Sequence, residues 1–114
     1  MITMEQVIVL VGKEVELLCF AQYIIYIHLD GDILLTAEAG FEHTHEDTKE
    51  VYSGESPMCC SGLMAVLECS VVSASIDENG HLCLAFSNAD RLIIFKETGY
   101  DSYRLKIGDR ELFA

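Results

Sequence analysis

Apolar and polar residues alternate along much of this chain. Between Tyr23 and Leu29, Tyr23, Ile25, Ile27 and Leu29 share one face while Tyr26 and His28 share the other, the period-two pattern of a half-buried strand. Asp30-Gly31 comes next, a pair suited to the positive φ of a tight hairpin turn, and Ile33, Leu35 and Ala37 return on one face toward Glu38. The same grammar recurs later. Leu82, Leu84 and Phe86 alternate with smaller residues, Asn88-Ala89-Asp90 turns, and Leu92 to Phe95 answer. Weaker runs at Glu14 to Phe20, Val71 to Ile76 and Tyr103 to Ile107 read as further strands, with Asp77-Glu78-Asn79-Gly80 as a turn. The short apolar run Val7 to Val11 is closed by Gly12.

Between Ala39 and Ser56 the alternation dissolves. Glu42, Glu46, Asp47, Glu50 and Glu55 are offset by Lys49 alone, which predicts an exposed loop long enough to carry function. Ser56-Pro57 then has the form of a helix start, with Cys59, Leu63, Val66 and Leu67 on one helical face and an end near Glu68. The expected fold is therefore α+β: a single domain, residues 1–114, with a twisted, largely antiparallel sheet of about six strands and one packed helix. The two hairpins, Ile25 to Leu35 and Leu82 to Ile94, resemble each other. Their likeness fits either a duplicated unit or the shared residue needs of any hairpin.

Charge changes this picture most. Nineteen acids face seven bases, a net charge of −12. Residues 1–57 hold eleven acids and two bases (−9), and residues 58–114 hold eight acids and five bases (−3). Such a chain repels nucleic acid and anionic membranes, and attracts a basic partner. Acidity of this kind also simply keeps a protein soluble. The apolar run from Leu17 to Leu29 is too short to cross a membrane, and the first residues lack a basic leader, so a cytoplasmic protein is expected. Cys19, Cys59, Cys60, Cys69 and Cys83 are odd in number and have no framework spacing, which predicts reduced thiols, with Cys19, Cys69 and Cys83 buried.

The closing third also resembles a small bacterial family of uncharacterised single-domain proteins. That family's pattern is Leu-x-Leu-x-Phe, a compact turn, an apolar strand, then Tyr-Glu-x-Trp-x-Leu. Leu82, Leu84 and Phe86 match the first element, Leu92 and Ile94 the second, and Tyr100, Asp101, Tyr103 and Leu105 the last. Asp101 stands for Glu, Tyr103 for Trp, and Asn88-Ala89-Asp90 for the turn, so about a quarter of the chain carries the likeness. Members include immunity proteins of contact-dependent growth inhibition systems. The resemblance implies an immunity protein, not an enzyme, that neutralises a basic toxin domain, a nuclease in many such systems, by occluding its active site or substrate groove. No cofactor is expected, and the acidic charge disfavours direct contact with nucleic acid or a membrane.

Glu42, Glu46, Asp47, Glu50 and Tyr52 are the residues expected to meet that partner, because they join charge and aromatic area in one exposed stretch. His43-Thr44-His45-Glu46-Asp47 supports a different chemistry. On a strand, His43, His45 and Asp47 would project from one side, as metal ligands must. The alternative function is thus a small metal- or thiol-dependent enzyme or sensor using His43, His45, Cys59 and Cys60. Against it, the chain has neither a Cys-x-x-Cys nor a His-Glu-x-x-His spacing, and two solvated histidines in an acidic loop explain the same residues. Neighbouring carboxylates would favour their protonated form. Tyr103 and Tyr100 are expected to close the core rather than a site, and a structural subunit capping a basic partner is a third possibility.

Overall fold

In the computed structural model, which describes residues 2–21, 24–52, 62–97, 99 and 102–114, the alternating segments become strands as expected. They do not form one sheet. Among the described residues ten strands make two five-stranded antiparallel sheets: β1 (Val15–Phe20), β2 (Ile25–Leu29), β3 (Ile33–Ala37), β4 (Phe41–His45), β5 (Thr48–Tyr52), β6 (Val71–Ile76), β7 (Leu82–Phe86), β8 (Arg91–Ile94), β9 (Tyr103–Ile107) and β10 (Arg110–Phe113). The first sheet runs β1-β2-β3-β9-β10 and the second β5-β4-β8-β7-β6. Their buried faces meet in one core that includes Ile25, Ile27, Leu35, Phe41, Leu82, Leu84, Leu92, Ile94, Tyr103 and Leu105. The expected single sheet of six strands is corrected on this point, because alternation tells which face a residue lies on but not which strand it pairs with.

A four-residue helix, α1 (Met4–Val7), opens the fold. Thr3 caps it: its hydroxyl accepts from the Gln6 amide while the Gln6 side chain accepts from the Thr3 amide. Of the helix expected over 56–68, residues 56–61 lie outside the described part. Its later portion is a 3-10 turn, Leu63–Val66, whose Leu63 and Val66 are buried.

The second correction concerns the acidic stretch. Over 41–52 it is the β4–β5 hairpin, with Phe41 opposite Tyr52, His43 opposite Glu50 and His45 opposite Thr48. Its inward positions are Phe41, His43 and His45. Two of these three are imidazoles, so the strand lacks the aliphatic alternation that marked the others.

The two halves of the chain repeat one strand arrangement, with exchanged strands. In the first hairpin Ile25 faces Ala37; in the second, Leu82 faces Ile94. Strand β1 carries a bulge between Val15 and Leu17, and β6 carries one between Val71 and Ser73. The fourth and fifth strands of each half cross to the other half's sheet: β9 pairs with β3, and β4 pairs with β8. Even the polar details repeat. The Asp30 carboxylate accepts from the Glu14 amide (2.7 Å), and the Ser87 hydroxyl from the Ser70 amide (3.0 Å). Glu14 and Ser70 themselves form the bridge that joins the two sheets. Gly12 (φ 87°) and Glu68 (φ 68°) take the same left-handed conformation at matching places, where a glycine is the less strained choice.

Tyr103, 1% exposed, takes the structural role expected of it. Its hydroxyl donates to the Gly80 carbonyl (2.9 Å), and burial pushes its pKa up to about 12. Tyr103→Phe is predicted to cost about 1 kcal/mol, the typical net worth of one hydrogen bond. Urea unfolding would read this as a lower midpoint at unchanged slope; an unchanged midpoint would mean the hydroxyl contributes nothing. Tyr100 lies outside the described residues. Cys19, Cys69 and Cys83 are free thiols but only half-buried, not buried as expected. Cys83 lies across from Ser75 and Ile93 on the outer face of the second sheet, since its neighbours Leu82 and Leu84 occupy the inner one. Cys59 and Cys60 are outside the described residues.

Candidate functional site

The β4–β5 hairpin brings one unexpected residue to the two histidines. Asp90 ends the turn between β7 and β8, and its carboxylate is only 1% exposed. Local bonds fix it there. Phe86 donates its amide to the Asp90 carbonyl (2.9 Å), and Ala89 reverses the chain at φ 74°. The Asn88 side chain accepts from the Asp90 amide (3.0 Å) and donates to the Ala65 carbonyl of the 3-10 turn (3.0 Å). Asp90 Oδ2 then lies 2.8 Å from His43 Nε2, and Oδ1 lies 2.7 Å from His45 Nδ1. An ionised carboxylate only accepts hydrogen bonds, so both ring nitrogens facing it carry protons.

The two imidazoles differ in setting. His43 is buried, 1% exposed. His45 keeps 48% of its side chain exposed, and its Nε2, on the ring edge away from Asp90, is 4.0 Å from Glu46. The hydrogen bond that His45 donates to Asp90, then that carboxylate's charge, hold the His45 pKa above the ordinary histidine value against a smaller burial effect, with Glu46 adding least. The upward direction is as expected, but its main source is a distant turn, not the local acidic stretch. For Asp90, burial is the largest single influence and works upward. The hydrogen bonds and charges of both imidazoles outweigh it and leave the carboxyl below the usual range.

The repeated arrangement supplies a comparison within the molecule. Register places Asp90, His43 and His45 in the second sheet where the first sheet has Ile33, Leu105 and Ile107. One copy fills these positions with hydrocarbon and the other with a carboxylate and two imidazoles. The same strand arrangement is thus built once with the polar trio and once without it. Sequence reading assigned Asp90 to a turn and missed its role. The echo between the hairpins held the signal, since it sets an acid against an apolar residue.

The expected contact residues are divided among three places. Glu46 and Asp47 form the tip of the hairpin, exposed, with Glu46 at φ 55°. Glu42 is on the outer face of β4, half-buried and 4.0 Å from Lys49. Glu50 and Tyr52 point inward along β5: the Tyr52 hydroxyl donates to the Glu50 carboxylate (2.5 Å), and its ring stacks on Phe41 at 5.4 Å. Asp47 does not join His43 and His45 on one side; it sits in the turn beyond the strand. Among the described residues no group of three or more His, Cys, Asp and Glu is arranged to hold a metal ion. His43 and His45 are instead turned onto a shared carboxylate. Burial raises the Cys83 thiol, with Asp77 and Glu42 adding to the shift, so it is a poor nucleophile.

A trough of about 650 Å³ runs over the outer face of the second sheet, with Glu42, Thr44, Lys49, Ser73 and Arg91 in its lining. Another, about 530 Å³, lies between Ile76, Gly80, Lys96 and Tyr103. Neither includes the trio. No helix among the described residues is long and apolar enough to cross a membrane. No family model matches the chain, and neither does any curated protein or solved structure compared with it.

Proposed function

We propose that this protein works by binding: it is an immunity protein that captures a basic toxin domain, a nuclease of a contact-dependent growth inhibition system, and occludes its active site or substrate groove. The observation that carries the reading is the exposed tip of the β4–β5 hairpin, where Glu46 and Asp47 stand with Glu42 on the strand behind them. Among the described residues strand β5 is the last of its sheet, so no described strand pairs along its outer side. Carboxylates presented from such an edge can occupy the places of phosphates on a cationic surface, and the net charge of −12 speeds the encounter.

Capture is stoichiometric, which sets the test. Titrated against the toxin encoded beside it, the protein should abolish activity with a break at a fixed molar ratio. Loss of toxin activity at a small fraction of one equivalent, growing with time, would show turnover and overturn the reading.

One observation favours a second reading, a metal- or thiol-dependent enzyme or sensor: His43 and His45 do converge, though on Asp90. Stoichiometric zinc in the purified protein would support it.

A further inference from the structure

The second sheet stops pairing one step earlier than the first. In the first, the β3–β9 ladder runs to Ile33 opposite Ile107, and the Gly108 amide donates to the Asp32 carbonyl beyond it (3.0 Å). In the second, the β4–β8 ladder ends at Thr44 opposite Arg91, while β4 and β5 continue together to His45 and Thr48. At the place of the missing rung stand His45 and Asp90, joined through their side chains at 2.7 Å. A backbone link that ignores pH has been replaced by one between two titratable groups.

We propose that Asp90, held between His43 and His45, is a proton-dependent clasp that fastens the acidic tip of the β4–β5 hairpin to the body of the fold and loosens when His45 gives up its proton. With both groups ionised, the His45–Asp90 contact is an ion pair as well as a hydrogen bond; when His45 becomes neutral its Nδ1–H still donates to the carboxylate, but the attraction between opposite charges is gone. Among the described residues, the groups that act on His45 are few. Asp90 faces it from the β7–β8 turn, Glu46 from the hairpin tip, and His43 from its own strand. On β5, Glu50 stands opposite His43 and uncharged Thr48 opposite His45. Lys49 and Arg91 pair with Thr44 and face the other side of the sheet. The 3-10 turn Leu63–Val66 carries no titratable side chain. Asp90 and Glu46 both favour the proton, so release comes on the alkaline side of the ordinary histidine value.

The clasp stands whether or not the partner is a toxin, and its test needs no partner. Hydrogen exchange would be followed on the full chain from about pH 5 to pH 9, corrected for the intrinsic pH dependence of exchange. The His45 ring would be titrated by NMR in the same samples. Protection of the amides from His45 to Lys49 is expected to fall severalfold as His45 deprotonates, while β7 amides hold steady. In His45→Gln, whose neutral amide can still donate to Asp90, protection should sit at the alkaline level throughout. In Asp90→Asn, His45 should titrate at a lower pH and the tip should lose its response. His45→Gln alters an exposed position, so it decides the matter even if Asp90→Asn fails to fold. Tip protection that stays flat through the His45 titration, or a response that survives in His45→Gln, would overturn the proposal.

Discussion

Asp90→Ala is expected to destabilise the protein by about 3 kcal/mol, the upper part of the range for leaving a buried donor without its acceptor. The reason is His43, which is 1% exposed and would keep a ring N–H facing an empty site. The pH dependence has a definite sign on each side. His45 has a raised pKa in the fold, so its contribution is full below its ordinary value of 6.5 and is lost as pH rises through the folded value. Asp90 has a lowered pKa, so its contribution is full above 3.8 and is lost as pH falls through the folded value. The deficit of Asp90→Ala should therefore be widest between pH 3.8 and 6.5 and narrow on either side. A companion variant makes the test sharper. Asp90→Ile, His43→Leu and His45→Ile together install the residues of the first sheet. That variant should recover at least wild-type stability, because hydrocarbon often replaces a buried ionic cluster at no cost. Urea unfolding across pH 4 to 9 would measure both. A triple variant as unstable as the single one would show that the second sheet depends on its polar trio for folding.

If the protein captures a basic toxin domain as proposed, neutralising the hairpin is expected to slow that capture by about tenfold or more at low salt, the scale on which charge steering acts. The variant carries Glu42→Gln, Glu46→Gln, Asp47→Asn and Glu50→Gln. Its association rate should also lose most of its dependence on ionic strength. Glu46 and Asp47 are exposed, and a glutamine at position 50 can still accept from Tyr52, so stability should change little. Stopped-flow association with the isolated toxin domain reads the effect directly. Unchanged rates at low salt would take the hairpin out of the interface and leave the rest of the surface, which also carries negative charge, to explain any capture.

Seven strands were legible from alternation alone: β1, β2, β3, β6, β7, β8 and β9 all lie within or close to the expected segments. Their inward faces were legible too, from Ile25, Ile27 and Leu29 to Leu82, Leu84 and Phe86. Burial of one face of a strand leaves a period-two trace that needs no knowledge of the partner. Strands β4 and β5 left no such trace, since β4 turns His43 and His45 toward Asp90 and β5 buries none of its side chains fully. Imidazoles are polar in any sequence pattern, and a buried one needs a hydrogen-bond partner, which Asp90 supplies to His43 here.

The chain by itself thus determined its faces, its turns, its charge and the interest of His43 and His45, because each depends on residues a few positions apart. Tertiary structure decided the rest. It split the strands between two sheets, exchanged β4–β5 and β9–β10 between the halves, and brought Asp90 across 45 residues to His45. Pairing of distant strands is settled by the packing of a whole core and leaves no local mark in the strands themselves. A site made from two such strands becomes visible only when they meet.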